Sequence, residues 1–391
     1  MTGSLMISVD AMSGDVGPDP VIAGMARALA DNDALRFLVF GDSAVLAKKL
    51  RRRRYSALRA AVEIRHADDV VSMSDVPSRA LRERRGSSMW ASLEAVKAGD
   101  APVAISCGNT GALLAMSVLI LRKAPGIDRP AIAVHWPANS AAGFNTVLDV
   151  GADLRAGPRT LMQYAIMGAE YARLSFGIDR PRIGFLNIGT EATKGHADLR
   201  DAAAKAEEVA QHPAAPFASV GFVEGSDICG DAADVIVTDG FTGNIALKTA
   251  EGTAAFIRAG LKDAFAHSFW SKIGTLFALT SLRRFRKRID PRRVNGGVFL
   301  GLNGTVVKSH GDADAVGVAA ALRLAATLAA NDLGAAVNQQ LDRIDLSALP
   351  HQSTPRTAEG GTNERGTPAS VAGSEPDDGS TIRAVAEDSR R

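Results

Sequence analysis

The chain of 391 residues carries only two cysteines, Cys107 and Cys229. Both stand beside glycines in turn-like sequence, with no CxxC and no Cys/His cluster around them. A disulfide framework and a structural zinc are therefore not expected, and a reducing cytoplasm is. No run of about 18 uncharged apolar residues is present to span a bilayer. The first ten residues hold no basic stretch leading into an apolar one, so no secretory leader is readable. No charge of one sign dominates: Lys and Arg number 45 against 43 Asp and Glu, a formal charge of +2. The whole chain is thus no polyanion binder, and a basic function has to be local. Three fingerprints are also missing: GxGxxG after the first strand, GxxxxGK[ST] and GxSxG.

What is present is a globular composition, 46% hydrophobic and 23% charged. This excludes a disordered or collagen-like chain. Leu5–Val9 reads as a strand, followed by a Gly/Pro-rich loop and a helix with Asp19 as N-cap and Pro20 at its first position. Phe37–Phe40 is the next strand. The same grammar recurs three times. Val103–Ser106 precedes a helix over 112–121, Arg182–Asn187 one from Ala197, and Asp234–Thr238 one from Ile245. Strands alternating with helices predict an α/β fold, a mainly parallel sheet with helices on both faces. Ala131–His135 and Thr146–Val150 flank a small-residue turn, which predicts a hairpin and hence an antiparallel addition. Val298–Leu302, Val306–Lys308 and the helix Ala315–Ala330 complete the domain, 1–348. From 349 to 391 the composition turns to Ser, Thr, Gly, Pro and charge, without aromatics, which predicts a disordered tail.

Four loops fall where an open α/β sheet places its ligands: Asp10–Pro18, Ser106–Gly111, Asn187–Gly195 and Asp239–Asn244. Small residues let backbone N–H groups approach a ligand, and a helix start favours an anion. Lys194 is the best cation for charge stabilisation, or else a solvated loop lysine. Asn244 suits donation to a reacting carbonyl, or N-capping of the helix behind it. Asn109 carries the same two roles. Cys107 reads as a small buried residue rather than a nucleophile, with no histidine beside it in sequence. His310 serves either as a proton carrier or as a turn histidine. The segment 265–293 joins an aromatic apolar stretch to a dense cationic one. It suits a membrane interface, an acidic partner protein, or a core or dimer helix with a basic end. Nucleic acid is disfavoured, because no reader motif accompanies the patch.

Taken in order, these loops resemble the bacterial phosphate acyltransferases of phospholipid synthesis. The resemblance rests on Ile7–Pro18, Ser87–Met89, Ser106–Ala112, Pro125–Pro130 and Leu148–Ala152. It continues through Asn187–Glu191 with Lys194 and Gly195, Gly221–Gly225, Asp239–Asn244, Gly301–Gly304, and His310 with Gly311. It covers roughly residues 5–330. Two departures stand out: Ser13 where the family usually has glycine, and Cys107 where alanine is frequent. The second argues against a cysteine nucleophile.

The resemblance implies a fold like that of the isocitrate/isopropylmalate dehydrogenases and phosphotransacetylases, as a homodimer without a cofactor or metal. It implies the reaction of acyl-acyl carrier protein with inorganic phosphate to give acyl phosphate. A membrane glycerol-3-phosphate acyltransferase would consume that product, so peripheral association with the inner membrane face is also implied. Lys194 and Asn244 become the catalytic pair. Asp10, Gly14, Gly108, Asn109, Thr110, Gly189, Thr190, Thr242, Gly243 and His310 become substrate-binding residues. The matching basic segment becomes the membrane or carrier-protein contact, through Phe269, Trp270, Leu276, Phe277, Arg283, Arg284, Arg286 and Lys287. Two alternatives on the same residues are a coenzyme A-dependent phosphotransacylase and a non-catalytic membrane scaffold.

Overall fold

A computed structural model describes residues 4–266, 280 and 296–351, all within the compact unit Met1–Ser353. The first half opens with β1 (Leu5–Asp10), α1 (Pro18–Asp31), β2 (Leu35–Gly41), α2 (Ser43–Leu50), α3 (Ser56–Ala60) and β3 (Val62–His66). It continues with α4 (Pro77–Glu83), α5 (Ser88–Ala98), β4 (Val103–Ser106) and α6 (Thr110–Ile120). A hairpin follows, β5 (Ala131–Pro137) and β6 (Phe144–Leu148). The second half has α7 (Pro158–Phe176), β7 (Arg182–Leu186), α8 (Ala197–Ala210), β8 (Ala218–Val223), β9 (Val235–Val237) and α9 (Gly240–Ala266). The chain returns through β10 (Gly297–Leu300), β11 (Thr305–Lys308), α10 (Ala315–Ala330) and α11 (Leu333–Leu341).

The strands form one sheet in the order β3-β2-β1-β4-β11-β10-β5-β6-β9-β7-β8. β3, β2, β1, β4 and β11 run parallel, as do β6, β9, β7 and β8. Between them lie three antiparallel pairings, β11 with β10, β10 with β5, and β5 with β6. Three reversals are an odd number, so the two parallel halves point in opposite directions. The inner strands of the first half, β1, β2 and β4, are mostly apolar because both faces are covered, as parallel sheets require. Ile7, Val9, Phe37, Val39 and Val103 are all buried.

One face carries α1, α7, α8, α10 and α11 over a core that includes Met25, Tyr164, Phe185 and Leu322. Each such side chain contributes about 1.5–3 kcal/mol on burial. The other face carries α5 and α6, with Ala246, Leu247 and Ala250 of α9 packed against Trp136 and its neighbours. α1 starts at Pro18 with Gly17 as N-cap, so Asp19 is not the cap but an acidic residue of the first turn. The expected hairpin is present, and so is the helix over 315–330. Leu349 packs on the core and His351 Nδ1 lies 2.9 Å from Asp128 Oδ2. The rest of the expected disordered tail lies outside the described residues.

Candidate active site

The ends of β1, β4 and β11 build one loop group. Asp10 closes β1 and is 1% exposed. Its Oδ1 accepts from Ser88 Oγ at 2.6 Å and from the Met12 N–H at 3.2 Å, and its Oδ2 from Ser106 Oγ at 2.6 Å. Ser106 Oγ in turn accepts from the Gly108 N–H at 3.0 Å. The carboxylate thus ties three segments together from below. Asn109 is the N-cap of α6: its Oδ1 accepts from the Ala112 N–H, and its amide donates to the carbonyls of Met73 and Asp75. That helix begins at Thr110, two residues before the expected start. Thr110 is exposed, Gly108 buried and Gly14 half-buried. His310, largely exposed, places Nδ1 2.5 Å from Asp312 Oδ1.

Lys308 ends β11 in this group and was not singled out from sequence. It is 9% exposed, and its ammonium donates to the Ser309 carbonyl. Burial pulls its pKa below the usual lysine value, against the pull of Cys107, Asp15 and Asp10, while Lys248 of α9 pushes the same way as burial. The only signal in sequence was a lysine closing an otherwise apolar strand. The Cys107 thiol is pushed up to about 11 by burial, which keeps it protonated at neutral pH and unsuited to attack.

The second loop group follows β6, β9 and β7, neighbours in the sheet. Asp149 stands at its centre, fully buried. Its Oδ1 accepts from the N–H groups of Ile132, Gly151 and Ala152, and its Oδ2 from those of Ala152 and Asp153, at 2.7–3.1 Å. Burial raises its pKa and those N–H bonds oppose the shift. Asp149 lies inside a matched motif yet went unassigned, because nothing in sequence shows four N–H groups converging.

The start of α9 rests on this turn. A Cβ at Gly243 would sit 1.9 Å from the Asp149 carbonyl oxygen, so only glycine fits there. Asp239 Oδ1 accepts from the Thr242 N–H at 2.7 Å. Asn244 is not an N-cap: α9 begins four residues earlier, at Gly240. It is an exposed first-turn residue whose amide donates to the Val150 carbonyl at 3.0 Å. A primary amide has a second N–H to offer.

In the loop after β7, Asn187 accepts from the Ile188 N–H and donates to the Lys194 carbonyl, closing the turn over buried Gly189. Thr190 is exposed. The Lys194 ammonium pairs with Glu191 Oε2 at 2.8 Å and is 44% exposed. That hydrogen bond raises the lysine pKa and lowers that of Glu191.

The four loops do not converge on one edge. The loops after β1 and β4 join β11 at one set of strand ends, and those after β7 and β9 join β6 at the opposite set. The antiparallel steps in mid-sheet reverse the direction, which the sequence pattern could not show. α9 links the groups electrostatically: Asn244 lies in its first turn, and Lys248, one turn on, influences Lys308. Phe269, Trp270, Leu276, Phe277, Arg283, Arg284, Arg286 and Lys287 lie outside the described residues. Among the described residues, no His, Cys, Asp or Glu group is arranged to hold a metal, and no single helix is long and apolar enough to cross a membrane.

The architecture is that of the phosphotransacetylase class. A phosphotransacetylase from Streptococcus pyogenes superposes with a TM-score of 0.55 at 18% identity, covering 84% of this chain and 95% of that one. The EutD phosphotransacetylase from Staphylococcus aureus gives 0.52 at 16%, with the same coverage. In sequence, the family described as fatty acid synthesis protein matches residues 5–335. Phosphate acyltransferases from Jannaschia sp. (strain CCS1) and Ruegeria sp. (strain TM1040) are 57% and 56% identical. They align over 84% and 83% of this chain and 89% and 85% of their own lengths. The phosphate acyltransferase of Paracoccus denitrificans is 56% identical over 83% of this chain and 87% of its own. The chain belongs to the phosphate acyltransferase family of fatty acid and phospholipid synthesis, and it is an acyltransferase.

Proposed function

We propose that the enzyme moves the acyl group of a long-chain acyl-acyl carrier protein onto inorganic phosphate, giving acyl phosphate and free carrier-protein thiol. One observation carries the assignment of roles. Lys194 and Asn244 are both exposed, on the loop after β7 and near the start of the helix after β9, its parallel neighbour. Lys194 supplies a cation to the phosphate dianion, in exchange for Glu191. Asn244 and the neighbouring backbone N–H groups donate to the thioester oxygen as it becomes an oxyanion.

Phosphate is its own nucleophile, so no covalent enzyme residue is needed. Its oxygen attacks the carbonyl carbon, the tetrahedral centre collapses, and the C–S bond breaks. The proton of the hydrogen phosphate ends on the thiolate sulfur, which balances the step. The work left to the protein is positioning and charge stabilisation.

The product then feeds a membrane glycerol-3-phosphate acyltransferase, with this enzyme cytoplasmic, homodimeric and peripherally bound at the inner membrane face. Phe256, Ile257 and Leu261 support that surface contact, since they are exposed apolar residues on the helix leading into 265–293. The test is to give purified protein palmitoyl-acyl carrier protein and to measure free thiol with and without phosphate. Phosphate-dependent release with acyl phosphate as product supports the reading. No release from folded protein with lipid present refutes it. Preference for coenzyme A thioesters would transfer the reading to the coenzyme A-dependent alternative.

A further inference from the structure

We propose that the loop group at the ends of β1, β4 and β11 seats a phosphoryl group, gripped by Ser13 and Lys308. The inference rests on the acyl-transfer reading and deepens it, since Lys194 lies at the opposite strand ends.

Two independent observations support the site. The first is Ser13, only 3% exposed, whose Oγ is shielded from solvent and has no hydrogen-bond partner. A native fold rarely leaves a buried hydroxyl unpaired.

The second is the buried ammonium of Lys308. The charged groups that bear on it are Asp10, Asp15 and Lys248, with the protonated Cys107 thiol beside them. Asp10 spends its oxygens on Ser88, Ser106 and the Met12 N–H, so it stands as a fixed counter-charge rather than a partner to be displaced. Asp15 is exposed and is a like charge for an incoming anion.

The backbone packs closely around these side chains. A Cβ at Gly108 would come within 2.6 Å of Ser13 Cβ, and one at Gly14 within 3.1 Å of Cys107 Cβ. Directly behind Gly108 begins α6, eleven residues long, so its positive end belongs to this loop group. A hydroxyl, an ammonium and a helix start together suit an anion with several oxygens. The reaction offers two such groups, the attacking orthophosphate and the phosphodiester of the carrier protein's pantetheine arm.

The test is isothermal titration calorimetry on the full chain, with inorganic phosphate, phosphopantetheine and pantetheine as separate probes. Ser13→Ala and Lys308→Met are each expected to weaken phosphoryl binding roughly five- to ten-fold, with an unchanged melting temperature. Asp15→Asn is expected to tighten it. If Lys308→Met fails to fold, the Ser13 and Asp15 variants decide.

Weakened inorganic phosphate binding assigns the attacking phosphate to this site and takes that role from Lys194. Weakened phosphopantetheine binding, with inorganic phosphate and pantetheine unaffected, assigns it to the donor arm. Unchanged affinity for both phosphorylated probes in folded Ser13→Ala and Lys308→Met overturns the proposal. Phosphate affinity lost only in Lys194→Ala also overturns it and leaves the catalytic reading standing. Phosphoryl binding that depends on Ser13 and Lys308, without any phosphate-dependent thiol release, keeps this site and removes the acyl-transfer reading.

Discussion

The Asn244 side-chain amide donates to the Val150 carbonyl at 3.0 Å, pinning the first turn of α9 to the loop after β6. The bond leaves the second amide proton pointing elsewhere and makes the side chain both anchor and donor. Asn244→Ala should cost about 1 kcal/mol of stability through the lost anchor. It should cost roughly a hundred- to a thousand-fold in turnover through the lost donor. Asn244→Asp, which cannot donate, should be as inactive as the alanine variant. Thermal melts alongside kcat separate the two effects, and a variant with kcat near wild type would remove Asn244 from the oxyanion role.

Lys194 and Glu191 hold each other at 2.8 Å on the exposed loop after β7. If phosphate displaces Glu191, Lys194→Ala should raise the phosphate KM and lower kcat, together by several tens-fold or more, with folding intact. Glu191→Gln should lower the phosphate KM by freeing the ammonium. Steady-state kinetics across phosphate concentrations checks both signs at once.

Cys107 is buried, and its thiol is pushed up to about 11. Cys107→Ala should retain turnover within about two-fold, because a thiol protonated at neutral pH supplies no nucleophile. Loss of activity in this variant, with an unchanged melt, would reinstate a covalent route.

His135 predicts an acid-sensitive core. Its ring packs on Tyr171 at 5.1 Å and on Phe176 at 4.6 Å between centroids, and its Nε2 is buried without a partner. Burial lowers its pKa from 6.5 to about 4. Between these values the unfolded chain binds a proton that the folded chain does not, so stability falls as pH drops from 6.5 and levels off below 4. The shift is worth up to about 3 kcal/mol. Denaturant midpoints from pH 7 to 4 should show the loss, and His135→Phe should flatten it.

Asp10 predicts a structural penalty rather than a direct kinetic one. Asp10→Asn sets an amide against the hydroxyls of Ser88 and Ser106, both now donating to it. The expected cost is about 1–3 kcal/mol, read as a lower denaturant midpoint. Ser88→Ala should cost less, since Met12 and Ser106 still serve the carboxylate.

Much of this was legible from residues alone. The apolar runs at Val103–Ser106 and Val306–Lys308, and the helix at Ala315–Ala330, follow from local patterning that tertiary context did not override. The cap of α1 was misread at Asp19 because Pro18 and Pro20 are both sound helix starters, and only the backbone chooses between them. The N-cap alternative for Asn244 fails because Gly240 and Gly243, which look like loop in sequence, already belong to α9. They are glycines because the Asp149 turn leaves no room there for a side chain.

Sequence by itself determined the class of fold, the strand–loop–helix grammar and, through the ordered motifs, the family. These are local or one-dimensional properties, carried by periodicity and spacing. Only the tertiary structure decided which loops meet, because direction along a sheet is a count of antiparallel pairings far apart in the chain. It also decided that Asp149 gathers backbone N–H groups, that Asp10 is an anchor, and that Lys308 and Ser13 are both buried at the ends of β11 and β1. Burial and hydrogen-bond partnership are set by residues tens to hundreds of positions away, and no window along the chain contains them.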